Sequence, residues 1–93
     1  MMRLVLIEWE DSQALTAGGW MHLDGEWNTE PRVIYSAGWL FHDGERSKII
    51  VPHANRASPD SFAQGTGVLS IPTRCVVRIS DLVERNEITT EGR

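Results

Sequence analysis

The side chains best equipped for chemistry in this sequence are the carboxylates Glu8, Glu10 and Asp11, the thiol of Cys75 and the imidazoles of His22, His42 and His53. Paired carboxylates suit general acid–base hydrolysis or capture of a divalent ion, provided both groups reach one side of the substrate and a matched partner completes the set. On a strand Glu8 and Glu10 point to one face and Asp11 to the other, and no acid, base or ligand stands at a matching interval. They read as a solvated strand face, with Asp11 or Ser12 capping the next turn. Cys75 has no glycine-flanked elbow and sits beside Val76 and Val77, the setting of a small buried hydrophobe rather than a nucleophile. The histidines are scattered without partners at zinc-ligand spacing, and their turn and polar neighbours assign them to hydrogen bonding in loops. Gly65-x-Gly67 lacks the third glycine and the helix of a dinucleotide loop, and reads as a place of close backbone approach. The expectation is a protein that is not an enzyme and that uses no metal or cofactor.

A different constellation suits binding. One irregular stretch carries Trp9, Asp11, Ser12, Trp20 and Trp27; a second carries His53, Asn55, Arg56, Ser58, Ser61 and Gln64. Aromatic faces beside hydroxyl, amide and guanidinium donors are what a planar anionic ligand such as a nucleotide requires. A ring stacks for ~1–3 kcal/mol per base and an arginine forks onto phosphate. If both stretches meet at one rim of the fold, Trp20 stacks, Arg56 and Arg74 meet phosphate, and Asp11, Ser12, Asn55 and Gln64 read base or ribose edges. His53 and Trp9 complete the expected ligand-binding set. The competing role for Trp9 and Trp39 is simple core filling.

The elements that must position these residues are strands. Arg3 to Glu10, with the run Leu4-Val5-Leu6-Ile7, reads as a first strand buried on both faces. From Asp11 to Glu30 the period is lost around Gly18-Gly19 and Asp24-Gly25, predicting a long loop with one helical turn near Ser12 to Leu15. A structureless connection of that length is uncommon in a compact domain and is usually functional. Arg32 to His42 is a second strand, with Val33, Tyr35, Ala37, Trp39 and Phe41 on one face and Ile34, Gly38 and Leu40 on the other. Asp43-Gly44 makes a tight turn into Lys48 to Pro52. His53 to Gln64, with Phe62 as its one large apolar residue, reads as a second, mobile loop. Gly65 to Ile71 and Cys75 to Ile79 read as the last two strands, joined across a corner by a single helical turn after Pro72. The fold expected is mainly β: a small five-stranded SH3-like or Sm-like barrel with two long loops, spanning residues 1–83. Residues 84–93 form a charged tail.

Composition narrows the partners. A 93-residue chain makes one domain with a thin stability margin. One cysteine allows no internal disulfide, so self-association into a homo-oligomer is the expected reinforcement. A formal charge of −4 and a pI near 5.2 argue against nucleic-acid polymers and anionic membrane surfaces. The apolar run Leu4–Ile7 is too short for a signal-peptide core or a membrane span, which points to the cytoplasm. Four tryptophans exceed what so small a core needs, and those in Gly- and Asp-rich stretches are expected to meet a ligand or partner.

The Val5-x-x-x-Trp9-x-Asp11-Ser12 opening, Gly18-Gly19-Trp20, the strand Ser36-Ala37-Gly38-Trp39-Leu40 and the Gly67-x-Leu69-x-Ile71-Pro72 ending resemble a group of short phage and prophage proteins. The likeness spans residues 5–82. It implies a small β-barrel and a role in host-defence evasion: an oligomeric sponge that sequesters a cyclic dinucleotide or ADP-ribose-like signal in the bacterial cytoplasm, with pockets at subunit boundaries. The leading expectation is therefore a nucleotide-binding homo-oligomer. The alternative is a protein-interaction module that inhibits or adapts a host or phage protein, since Trp and Arg serve hot spots equally well. A metal-dependent hydrolase built on Glu8, Glu10 or Asp11 is the third.

Overall fold

The computed structural model describes residues 2–85, which form seven strands and one 3-10 turn. In chain order these are β1 (Leu4–Asp11), β2 (Arg32–Asp43), β3 (Ser47–Val51), β4 (His53–Ser58), β5 (Ser61–Thr66), β6 (Leu69–Pro72), the 3-10 turn Thr73–Cys75 and β7 (Val76–Asp81). Five of them make one antiparallel sheet in the order β6-β3-β2-β1-β7; β4 and β5 pair only with each other. The mainly β expectation therefore holds, with five of the seven strands in one antiparallel sheet. The sheet is an open ladder whose edges are β6 and β7, joined by the expected helical turn.

Period-2 alternation places the core. Val5 and Ile7 of β1, Leu40 of β2, Ile50 of β3 and Ile71 of β6 are buried together, with Trp9, Leu69, Val76 and Ile79 packed against them. Leu4 and Leu6, on the other face of β1, are only half-buried, so that strand is not buried equally on both sides as its apolar run suggests. Gly38 lies opposite Val5, and a Cβ there would sit 3.1 Å from the backbone carbon and oxygen of Val51. Only glycine lets β2 and β3 pack this closely at that point.

Two bulges bend the sheet. Between Leu40 and His42 the β2–β3 register shifts, leaving Phe41 as the extra residue; on the other side the β1–β7 register shifts opposite Glu8 and Trp9, leaving Val77 extra. Each bulge adds local twist. The 3-10 turn is tied down by the Thr73 N–H donating to the Arg46 carbonyl at 3.0 Å and the Thr73 hydroxyl donating to the Gly44 carbonyl at 3.0 Å. The corner between the last two strands is thus anchored on the β2–β3 turn, where the Gly44 N–H donates to the Ser47 carbonyl at 3.0 Å.

Two expectations are corrected. The stretch His53 to Gln64 is not a mobile loop but a β-hairpin, β4–β5. Its sparse apolar content hides it, because its cohesion is polar and tertiary: Asn55 and Gln64 exchange hydrogen bonds, Ser58 and Ser61 pair their hydroxyls at 2.9 Å, and Phe62 meets Trp39 edge-on at 5.3 Å between centroids. Residues 12–31 do lack regular structure, but no helical turn forms at Ser12 to Leu15. Asp11 bends to accept from the Ser12 N–H at 2.8 Å, a local contact that competes with a helix start. The expected charged tail begins at Glu84 and Arg85; from residue 86 onward it lies outside the described residues.

Candidate functional site

The segment 12–31 leaves β1 after Asp11 and rejoins the sheet at Arg32, directly opposite, so its two ends are paired neighbours. Its base is closed by the Gln13 side-chain amide donating to the Glu30 carbonyl at 2.9 Å, and Asn28 accepts from the Glu30 N–H at 3.1 Å. Farther out, the Trp27 indole N–H reaches the Leu23 carbonyl at 3.4 Å, which folds residues 23–27 on themselves and leaves Trp27 half-buried. Gly18 and Gly19 hold positive φ angles of 108° and 83°, which side-chain-bearing residues rarely adopt.

The residues that follow this glycine pair stand in water. Trp20 is 103% exposed, Leu23 80%, and Met21 and Leu15 are also exposed. From Asp11 to Pro31 the chain carries four acids, Asp11, Asp24, Glu26 and Glu30, and no Lys or Arg. The most exposed aromatic group among the described residues therefore sits on a stretch with four acids and no Lys or Arg.

The second set of expected ligand residues is split by the hairpin. His53, Asn55 and Gln64 line one open concavity of about 450 Å³, together with Ala54, Gly65 and Thr66. Asn55 and Gln64 spend polar groups on each other: the Asn55 amide donates to the Gln64 side-chain oxygen at 2.9 Å, and Asn55 accepts from the Gln64 N–H at 2.8 Å. Arg56 pairs with Phe62 across the hairpin and borders a separate cavity of about 130 Å³ with Met2, Trp39 and Pro59. The close approach read at Gly65-x-Gly67 is present, since a Cβ on Gly65 would meet Val51 Cγ1 at 2.5 Å and Gly67 holds a φ of +72°.

The remaining expected residues lie elsewhere. Arg74, in the 3-10 turn, borders a concavity of about 340 Å³ with Glu45, Arg46 and Pro72. Trp9 packs against the core and donates its indole N–H to the Ser36 hydroxyl at 3.1 Å. Asp11 and Ser12 remain at the mouth of the irregular segment. Trp20, being fully exposed, touches neither the hairpin nor the sheet. One protomer thus brings His53, Asn55 and Gln64 together, and places Trp20, Arg56 and Arg74 in three other locations.

Of the β1 carboxylates, Glu8 accepts from Arg78 at 3.3 Å across the β1–β7 pair and Asp11 accepts from the Ser12 N–H at 2.8 Å. Among the described residues no three His, Cys, Asp or Glu side chains are grouped to hold a metal ion. Sequence reasoning missed one feature, an apolar recess of about 180 Å³ between the hairpin and the outer sheet face, lined by Met2, Phe41, Val51, Phe62 and Val68. The lone Phe62 in a polar stretch was its available signal. Set against known proteins, the chain finds no match among family models, curated proteins or solved structures, so its own side chains must carry the functional reading.

Proposed function

We propose that this chain is a non-enzymatic binding module that docks on a protein partner through the segment 12–31. The observation that carries the reading is Trp20, whose whole surface is in water beside exposed Met21 and Leu23. Contiguous exposed apolar groups mark interaction sites, and tryptophan is the residue most enriched at binding hot spots. The scaffold suits the role. With the β4–β5 hairpin set aside, the strands follow the order fourth, third, second, first, fifth with a 3-10 turn before the last, and we read this as an SH3-like arrangement presenting a long loop. The test is differential enrichment from a host extract with the intact chain and with Trp20→Ala. Partners held by the first and lost by the second support the reading; identical profiles overturn it.

A second reading is favoured by the concavity of His53, Asn55 and Gln64. In it, the chain is a cytoplasmic, phage-type sponge for a cyclic dinucleotide or ADP-ribose-like signal. Because Trp20 and Arg74 are remote from the hairpin within one protomer, this reading needs a homo-oligomer in which one copy's Trp20 or Arg74 meets another copy's hairpin. Native mass spectrometry tests it directly. A symmetric oligomer gaining one nucleotide mass per pocket supports sequestration; a monomer indifferent to a panel of cyclic dinucleotides and ADP-ribose derivatives rules it out.

A further inference from the structure

We infer that the partner of segment 12–31 is a protein with an apolar cleft bordered by Lys and Arg side chains; this rests on the protein-docking reading and specifies its chemistry. Two independent features of the segment point there. The first is the anchor: Trp20, Met21 and Leu23 are exposed. They follow the Gly18–Gly19 bend, and the Leu23 carbonyl accepts from the Trp27 indole N–H at 3.4 Å.

The second is charge. Asp24, Glu26 and Glu30 flank the anchor on one side and Asp11 stands at the base, with no Lys or Arg from residue 11 to residue 31. Those four acids match in size the formal charge of −4 of the entire chain. A phosphate-bearing ligand, a nucleic acid or an anionic membrane meets repulsion at this loop, whereas a basic rim around an apolar cleft meets attraction that also speeds encounter.

The experiment titrates the full chain, followed by tryptophan emission, with two synthetic amphipathic helical peptides. Both carry one leucine face; one has arginines flanking it and the other has glutamates at the same positions. The arginine peptide is expected to shift the emission to the blue and to bind at least about tenfold more tightly than the glutamate peptide at low salt. Its advantage should shrink severalfold by 1 M salt, where the Debye length falls to about 3 Å. Trp20→Ala should weaken binding of the arginine peptide by about 30-fold or more, the range of a hot-spot truncation. The double variant Asp24→Asn, Glu26→Gln should lose roughly three- to tenfold, by removing rim charges only. If both peptides bind equally and both need Trp20, the basic-rim proposal fails while the docking reading stands. If neither binds, or binding ignores Trp20, both fall.

Discussion

Truncating Trp20 and Ile71 to alanine, one at a time, should give opposite results in the same melting experiment. A chain of 93 residues has a folding free energy of about 5–14 kcal/mol at the usual per-residue stability. Ile71 is 0% exposed and closes the core against Val5, Ile7, Leu40 and Ile50. Its truncation removes buried carbon and leaves a cavity in a sheet too small to collapse around it, a loss of about 2–5 kcal/mol. At about 4–8 °C per kcal/mol for a domain of this size, the midpoint should fall by at least about 8 °C. Trp20 buries nothing, so Trp20→Ala should stay within about 0.5 kcal/mol, a shift below about 4 °C. Thermal and urea denaturation followed by far-ultraviolet circular dichroism reads both, and the urea slope should be unchanged for Trp20→Ala. A fall of more than about 5 °C on losing Trp20 would show that the segment packs on the sheet and would remove the basis for docking through it; a silent Ile71→Ala would mean the core lies elsewhere.

Three other outcomes follow from the geometry. Gly38→Ala should cost about 1–3 kcal/mol, because the new Cβ meets the backbone of Val51 at 3.1 Å and backbone cannot swing aside; urea unfolding measures it. Phe62→Ala should free the β4–β5 hairpin, since a lone hairpin is marginal and this aromatic pair holds it to Trp39. Amide exchange of residues 53–66 should then speed about tenfold or more while β1 and β2 keep their protection, whereas uniform acceleration would show that the hairpin and sheet unfold as one unit. Asp43 is hydrogen-bonded to Lys48, and that contact together with the Lys48 charge holds its carboxyl below the ordinary value of 3.8. A depressed carboxylate stabilises the fold above its unfolded value, and that contribution is lost as pH falls through the lower folded value. Carbon-detected titration of Asp43 should therefore give a midpoint below 3.8 that rises in Lys48→Gln; an unchanged midpoint would refute the pairing.

Much of the fold was legible because local rules suffice for it. The β-rich run Leu4–Ile7 marks β1, the alternation of Arg32 to His42 marks β2, the Asp43-Gly44 step turns β2 into β3, and Pro72 announces the corner before β7; which face of β1 is buried does not follow from that continuous run. Loss of period between Asp11 and Pro31, with its glycine pairs and unbroken acidity, likewise marked an irregular segment carrying tryptophans.

What only the tertiary structure decided depends on contacts far apart in the chain. The β4–β5 hairpin has no apolar alternation to declare it; it exists through Asn55 with Gln64 across the strands and Phe62 against Trp39, 23 positions away in sequence by their numbers. The bulges at Phe41 and Val77 are likewise invisible in residue type, because each depends on the register between strands distant in the chain. The same long-range geometry separated the residues whose types suggested a single pocket. Residue types state what a side chain can bind, and by themselves they made Trp20 and Arg56 plausible neighbours. Their positions follow from where the paired strands deliver each segment: one hangs from the β1–β2 end of the sheet, and the other is an exposed residue of the β4–β5 hairpin, which Phe62 holds against Trp39.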